Sequence, residues 1–301
     1  LPPSALRIHL ALIAVSVLFG ANYVFTKRIL QTVPPGAWVL FRIVAATAIL
    51  LPLALWWRRG RPWPDRRQFL QLLGAALFGV VLNQILFTEG MARTTPEHSA
   101  VVNACIPTWT LLVAAVAGQE RLRSRTAVAV LLALLGVQYL LGLDQLLFGS
   151  SGHDPGATLL GDFLTVLNGI SFAIHLVWMR RLSRSVDPYL ATAILFAAAT
   201  VMIGIWSGPQ VTAADLDAVL RPPTVLYAAY AVVFATLLTY LLNTWALRHT
   251  QSSQVALYIN VQPLVAAALH WSMGAPMPGH RFFVALALVA LGLWLQTARR
   301  S

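Results

Sequence analysis

The sequence predicts an all-α membrane protein of ten transmembrane helices, arranged as two inverted five-helix repeats with the N- and C-termini cytoplasmic. Three observations lead there. The 301-residue chain is 58% hydrophobic and only 10% charged, with a mean hydropathy of +0.72, whereas a soluble domain of that length needs many more charges to cover its surface. Ten apolar windows of bilayer-crossing length succeed one another. Finally, prolines and glycines of the first half fall on prolines and glycines of the second at one offset. Lipid offers the backbone no hydrogen-bond partners, so a spanning chain must close its own bonds in helices or in a closed barrel. Long apolar runs without dyad alternation select helices.

Taken in order, windows of about 17 to 25 residues fall at 8 to 26, 36 to 57, 69 to 89, 97 to 118 and 125 to 143, then at 159 to 180, 188 to 207, 223 to 245, 251 to 273 and 280 to 298. The first run is long, lacks an A-x-A ending and is followed by Lys27 and Arg28, so it reads as a retained span and not as a signal peptide. Span two carries Arg42, span four Pro107 and span nine Pro263. Residues 144–158, DQLLFGSSGHDPGAT, read as a periplasmic or extracellular linker between a first repeat, 1–143, and a second, 159–301. Between spans seven and eight, Thr212 with Asp215 three residues on reads as the capping box of a short surface helix.

With the N-terminus inside, fifteen Lys and Arg residues fall in cytoplasmic segments, among them Arg58, Arg66, Arg67, Arg180, Arg181 and Arg184. Five, namely Lys27, Arg28, Arg93, Arg221 and Arg281, fall outside, and Arg42 lies within a span. The net charge of +11 therefore records topology and not a nucleic-acid surface. The single Cys105 permits no intrachain disulfide and no four-cysteine zinc site, and reads as a buried structural thiol. No metal or other cofactor is expected.

A shift of 156 residues lays Pro107 on Pro263, Gly118 on Gly274, and LLALLGVQYL around Gly136 on ALVALGLWLQ around Gly292. A shift of 153 lays LFGANYVFTKR on SFAIHLVWMRR, with Phe19 on Phe172 and Lys27 on Arg180. Five spans per unit force the second copy into the membrane upside down, which is the inverted-repeat plan of secondary transporters. Proline within a helix removes a donor and displaces the carbonyl four residues earlier, here those of Asn103 and Ile259 near mid-membrane. Freed carbonyls at that depth are tolerated only where protein or a watery cavity meets them. Spans four and nine are thus expected to line a central site and to flex around it at Pro107 and Pro263.

Helical spacing gathers the remaining polar residues. Span one offers Tyr23 on a face with Ser16, Phe19 and Thr26. Span three offers Asn83, Gln84 and Phe87, and span four Asn103 and Trp109. From the second half come Asn168, His175 and Trp178 on a face with Ser171, then Tyr240 and Asn243, then Tyr258, Asn260 and Gln262. Spans one, three, four, six, eight and nine should therefore face the cavity. For any one aromatic the interfacial belt is the other reading, and Trp38, Trp56, Trp57, Trp206 and Trp271, near span ends, are assigned to it.

The stretches FGANYVFTKRIL, LFRIVAATAILLPLAL, IPTWTLLVAAVAGQERL, LLALLGVQYLLG and FAIHLVWMRRL together resemble the drug/metabolite transporter superfamily of the ten-helix EamA type. The resemblance implies an inverted-repeat carrier in the inner membrane, often an exporter of amino acids or related metabolites, with a central cavity built from the spans just named. The second half departs from the pattern, having GAPM at Ala275 and Pro276 where the first has GQERL, so Glu120 has no twin.

All ten acidic residues lie in loops or at helix ends. The expected cavity is neutral, with amides, hydroxyls and aromatics, and suits a zwitterion or an uncharged amphipathic solute, because a deeply bound cation needs a carboxylate. Amino acids moved by alternating access, in export or exchange, fit best. A nucleotide-sugar carrier is the alternative and needs several basic residues where only Arg42 is at hand. Arg42 can bind a substrate carboxylate, snorkel to headgroups or pair with Glu89. His175 can carry a coupling proton, donate to substrate, or be a satisfied core histidine. Ser171 and His175 lie four apart, but no membrane-depth carboxylate or metal cluster assists them, so the chain is read as no enzyme. The expected partners are a small-molecule solute and the lipid bilayer, with a second copy of the chain as a candidate and nucleic acid excluded.

Overall fold

The computed structural model describes residues 5–58, 62–119, 128, 131–132, 134–136, 139–140 and 158–297, and among them all regular secondary structure is helical. The first half comprises α1 (Ala5–Ile29), α2 (Pro35–Arg58), α3 (Arg66–Ala76), a π-helical turn Leu77–Leu82, α4 (Asn83–Arg93), α5 (Pro96–Asn103) and α6 (Ile106–Val116). The second comprises α7 (Leu159–Leu182), α8 (Pro188–Ser207), α9 (Ala213–Leu220), α10 (Thr224–Val232), a π-helical turn Val233–Leu238 and α11 (Thr239–His249). It ends with α12 (Ser252–Leu257), a 3-10 turn Tyr258–Val261, α13 (Gln262–Ser272) and α14 (His280–Thr297).

Helix starts follow local chemistry. Thr95 accepts from the amide of His98 at 3.3 Å and is followed by Pro96. Asp187 accepts from Tyr189 and Leu190 at 3.1 and 3.2 Å and is followed by Pro188. Each places an acceptor at the cap and a proline where its missing N–H costs nothing. Thr212 and Asp215 form the expected capping box ahead of α9.

Among the described residues seven helices are long and apolar enough to cross a bilayer, and the shorter apolar helix His280–Gly292 joins them. The molecule is a multi-pass helical membrane protein. Spans four and nine, expected to be interrupted at Pro107 and Pro263, are broken. Span nine is cut into α12, the 3-10 turn and α13, none of crossing length. Span five at 125–143, the linker at 144–157 and Glu120 lie outside the described residues, apart from a few positions in span five.

Element boundaries recur between the halves. At an offset of 156, Leu77–Leu82 corresponds to Val233–Leu238, Asn83–Arg93 to Thr239–His249, and Ile106–Val116 to Gln262–Ser272. Gly118 and Gly274, at φ 66° and 91°, end the last two in left-handed backbone, where glycine carries no Cβ penalty. At an offset of 153, Pro35 and Pro188 open α2 and α8. The change of offset falls between α8 and α10, where α9 is inserted. Packing repeats with roles exchanged: α1 lies on α13 and α11, α7 on α6 and α4, while α5 meets α13 and α12 meets α6. The first helix of each half is thereby clasped by the broken helix of the other half, and the breaks in both spans come to the centre.

Candidate functional site

At that centre α1, α4, α7, α11 and the two broken spans line a small central cavity. Of the residues expected there, Tyr23, Asn83, Gln84, Phe87, Asn103, Asn168, Asn243, Tyr258 and Gln262 do line it, beside Ser16 and apolar groups such as Phe19, Ile106 and Phe172. None of its lining residues is charged. A chain of hydrogen bonds crosses it: Asn103 Nδ2 donates to the Tyr23 hydroxyl at 3.1 Å, which donates to Gln262 Oε1 at 3.0 Å. Tyr23 of α1 thus ties the broken helix of one half to that of the other. Oδ1 of Asn103 and Oε1 of Gln84 are buried without a partner. Leaving an acceptor in that condition costs about 1–3 kcal/mol.

The prolines work differently from the expected mid-helix kink. Pro107 and Pro263 sit in the first turn of α6 and α13, where a missing N–H breaks no helical bond. Spans four and nine are therefore pairs of half-helices joined at residues 104–105 and at the 3-10 turn. Ser16 Oγ donates to the Tyr258 carbonyl of that turn at 2.5 Å, and the Tyr258 hydroxyl meets the ring of His9.

Five expected cavity residues lie elsewhere. The polar face of span six meets backbone carbonyls. Asn168 Nδ2, although at the cavity wall, donates to the Asn83 carbonyl at 2.8 Å, Ser171 Oγ to Phe78 O at 2.7 Å, and His175 Nδ1 lies 3.2 Å from Ala75 O. Since a carbonyl only accepts, Nδ1 carries the proton. A π-helical turn shifts the bonding register and leaves carbonyls short of donors, and these side chains supply them. His175 is the satisfied core histidine, pressed so closely on Gly79 that a Cβ there would stand 1.8 Å from its Nδ1. Tyr240 belongs to the same network, its hydroxyl 2.5 Å from Gly79 O. Trp109 packs beside Val102, Ala104, Cys105 and Val289 on the side toward α14, where Cys105 is the buried thiol expected. Trp178 lies on Gly74 outside the central space. Asn260 turns back to the Leu257 carbonyl at 2.7 Å.

Arg42 neither reaches headgroups nor pairs with Glu89, which bonds Arg93 one turn on, nor does it line the cavity. It is fully buried, with Nε 2.6 Å from Thr236 Oγ1, Nη2 3.3 Å from Ala235 O, and its guanidinium 5.9 Å from the Trp38 ring. Trp38 is accordingly removed from the interfacial belt: it is wholly buried, whereas Trp56, Trp57, Trp206 and Trp271 are exposed. A charge held at depth needs dipoles around it, and the second π-helical turn supplies them to Nε and Nη2 and Trp38 of α2 a ring face, while Nη1 is buried without a partner.

Sequence reasoning missed a polar cluster at the end of the molecule where α4, α5 and α7 meet. Thr94 Oγ1 donates to Asp162 at 2.6 Å, His98 Nδ1 lies 3.4 Å from the same carboxylate, and His270 bonds Glu97. Lys27 Nζ caps the end of α4 through Met91 O and Thr94 O at 3.0 and 2.6 Å. Asp162 is only 2% exposed. Its place in the first turn of a helix was legible, its burial was not.

Comparison with known proteins agrees with this architecture. The model of the EamA-like transporter family matches residues 6–142 and again 159–298. Over 296 residues the chain is 24% identical to an "Uncharacterized transporter" of Archaeoglobus fulgidus, covering 98% of each. It is 26% identical over 294 residues to the "Uncharacterized inner membrane transporter YedA" of Escherichia coli, covering 95% of this chain and 89% of that one. A solved crystal structure shares the fold with a TM-score of 0.67 at 18% identity, over 98% of both chains.

Proposed function

Because the chain belongs to the EamA-like transporter family, and so is a membrane transporter and not an enzyme, we propose that it carries small zwitterionic metabolites, amino acids above all, by alternating access. The observation that carries this reading is the cavity wall, which holds amides, hydroxyls and aromatic faces but no formal charge. The unpartnered oxygens of Asn103 and Gln84 accept from an ammonium group. The free amide donors of Gln262 and Asn243 then serve a carboxylate, and Phe19, Phe87 and Phe172 take an apolar side chain. A solute bearing only positive charge finds no compensating carboxylate there. A nucleotide-sugar carrier loses its one basic candidate, since Arg42 stands outside the cavity. The hydrolase alternative fails on geometry too: Ser171 and His175 each address a carbonyl of the first π-helical turn region and not one another.

The same reading takes the chain as ten spans in two inverted five-helix repeats, with both termini cytoplasmic and an inner-membrane location. Element boundaries recurring at 153 and 156, the exchanged packing and the arginine bias support it.

Counterflow of each of the common amino acids into proteoliposomes tests the substrate. Exchange of at least one neutral amino acid is expected, with Gln262→Leu abolishing it. Failure of every amino acid with intact, folded protein rules the substrate class out.

A further inference from the structure

We infer that the crevice between α3, α6 and α7, at the arginine-rich end of the molecule, is the open mouth of the transport path in this state, and that it draws in solutes bearing a carboxylate. The inference deepens the transport reading above. Gln71, Gln119, Ile174, Val177, Trp178 and Arg181 line the crevice, which continues over Arg66 and Arg67. Among the described residues three arginines face it and no carboxylate does. Two of its polar groups are held in place by backbone, Arg181 Nη2 donating to Ala117 O at 2.7 Å and Gln119 Nε2 to Val177 O at 3.1 Å. The outer edge of the Trp178 indole rests on α3 because residue 74 is glycine, where a Cβ would stand 2.6 Å from Cη2.

The opposite end of the molecule shows what a closed mouth looks like. The residues that correspond to Gln71, Gly74 and Trp178 at offsets of 156 and 153 are Tyr227, Tyr230 and Phe25. There the Phe25 ring stacks on Tyr227 at 5.2 Å and 17° and meets Tyr230 edge-on at 4.8 Å and 80°, while the Tyr230 hydroxyl donates to Leu18 O at 3.0 Å. Three rings fill the place that is open at the arginine-rich end. On α7, Phe172 lines the central cavity and Ile174 and Val177 the crevice, on different faces of the one helix. Charge is thus confined to the approach while the site remains neutral. Such an arrangement raises the local concentration and entry rate of anionic groups, typically by about 10- to 1,000-fold, in a salt-dependent way.

The test needs no knowledge of the solute, so its failure is separable from failure of the amino-acid reading. In a Cys105→Ser background, single cysteines Gln71→Cys, Ile174→Cys and Ala21→Cys are treated in neutral-lipid vesicles with impermeant thiosulfonates carrying either a sulfonate or a trimethylammonium group. Ile174→Cys should react, and Ala21→Cys, its counterpart at the ring-filled end, should not. Gln71→Cys should react several-fold faster with the sulfonate reagent, the preference vanishing on adding Arg66→Gln and Arg67→Gln or on raising salt. Reaction of Ala21→Cys with Ile174→Cys inert overturns the mouth, as does inertness of both. Equal rates for the two reagents at low salt overturn the carboxylate preference.

Discussion

The π-helical turns Leu77–Leu82 and Val233–Leu238 occupy the same place in the two halves, yet different chemistry satisfies them. The first is served by neutral donors: Ser171 and His175 from α7, and Tyr240 from α11. The second is served by a cation and by its own hydroxyls, with Arg42 and Thr239 on Ala235 O and Thr236 Oγ1 2.7 Å from Ala231 O. One feature is common to both. Gly79 O and Ala235 O correspond at the offset of 156, and each receives a side chain from the other half, Tyr240 in one case and Arg42 in the other. A turn that shifts its register must import donors, and here it imports them across the junction of the halves. The cost of the second solution is visible at Asn22, the counterpart of His175, which is fully buried with neither side-chain polar atom bonded. Thr236 already serves Ala231 O, the carbonyl equivalent to Ala75 O.

The comparison is broken most forcefully at Arg42. Replacing it with Met removes two donors and the contact with Trp38, and a loss of about 2–4 kcal/mol in thermal or denaturant unfolding in detergent is expected. Arg42→Lys keeps the charge but not the fork, and should recover part of that. Stability of Arg42→Met equal to the parent shows that the threonines alone hold the second turn. Next in size is Tyr240→Phe, which leaves Gly79 O without its donor and should cost about 1–3 kcal/mol, measured the same way.

His175→Leu is expected to cost about 1 kcal/mol or somewhat more, with the KM of counterflow unchanged because the imidazole does not reach the cavity. His175→Gln retains a donor and should lose less. A shifted KM with normal stability would put His175 back among the residues that meet solute. The smallest effect is assigned to Asn22→Leu, which removes two unbonded groups and should be neutral or stabilising by up to about 1 kcal/mol. A clear loss of stability there means that Asn22 bonds a water or solute group.

Legibility in the sequence followed the range of the forces involved. Polar residues at mid-span on α1, α4, α5 and α13 were readable as one site, and Tyr23, Asn103, Gln84 and Gln262 converge there. The same rule sent His175 and Tyr240 to the cavity, whereas they meet the carbonyls of Ala75 and Gly79. Helical spacing says which residues share a face, and is silent on whether that face meets a void or the carbonyls of a neighbour. Pro107 and Pro263 marked where two spans break, because a missing N–H is a local fact. Nothing in LFGVVL or VFATLL announced a π-helical turn, since each is served by side chains of the other half, 93 to 194 residues away.

Composition, hydropathy and the asymmetric placement of arginine sufficed for a membrane protein of long helices, and residue coincidences at 153 and 156 for its internal repetition. Those are properties of segments, governed by transfer from water to lipid one helix at a time. Which polar group found which partner was settled by packing. A hydroxyl, imidazole or guanidinium in hydrocarbon must bond to something, and whether that partner is a turn of backbone, as for Arg42 and His175, or the open centre, as for Gln84, depends on helices distant in the chain.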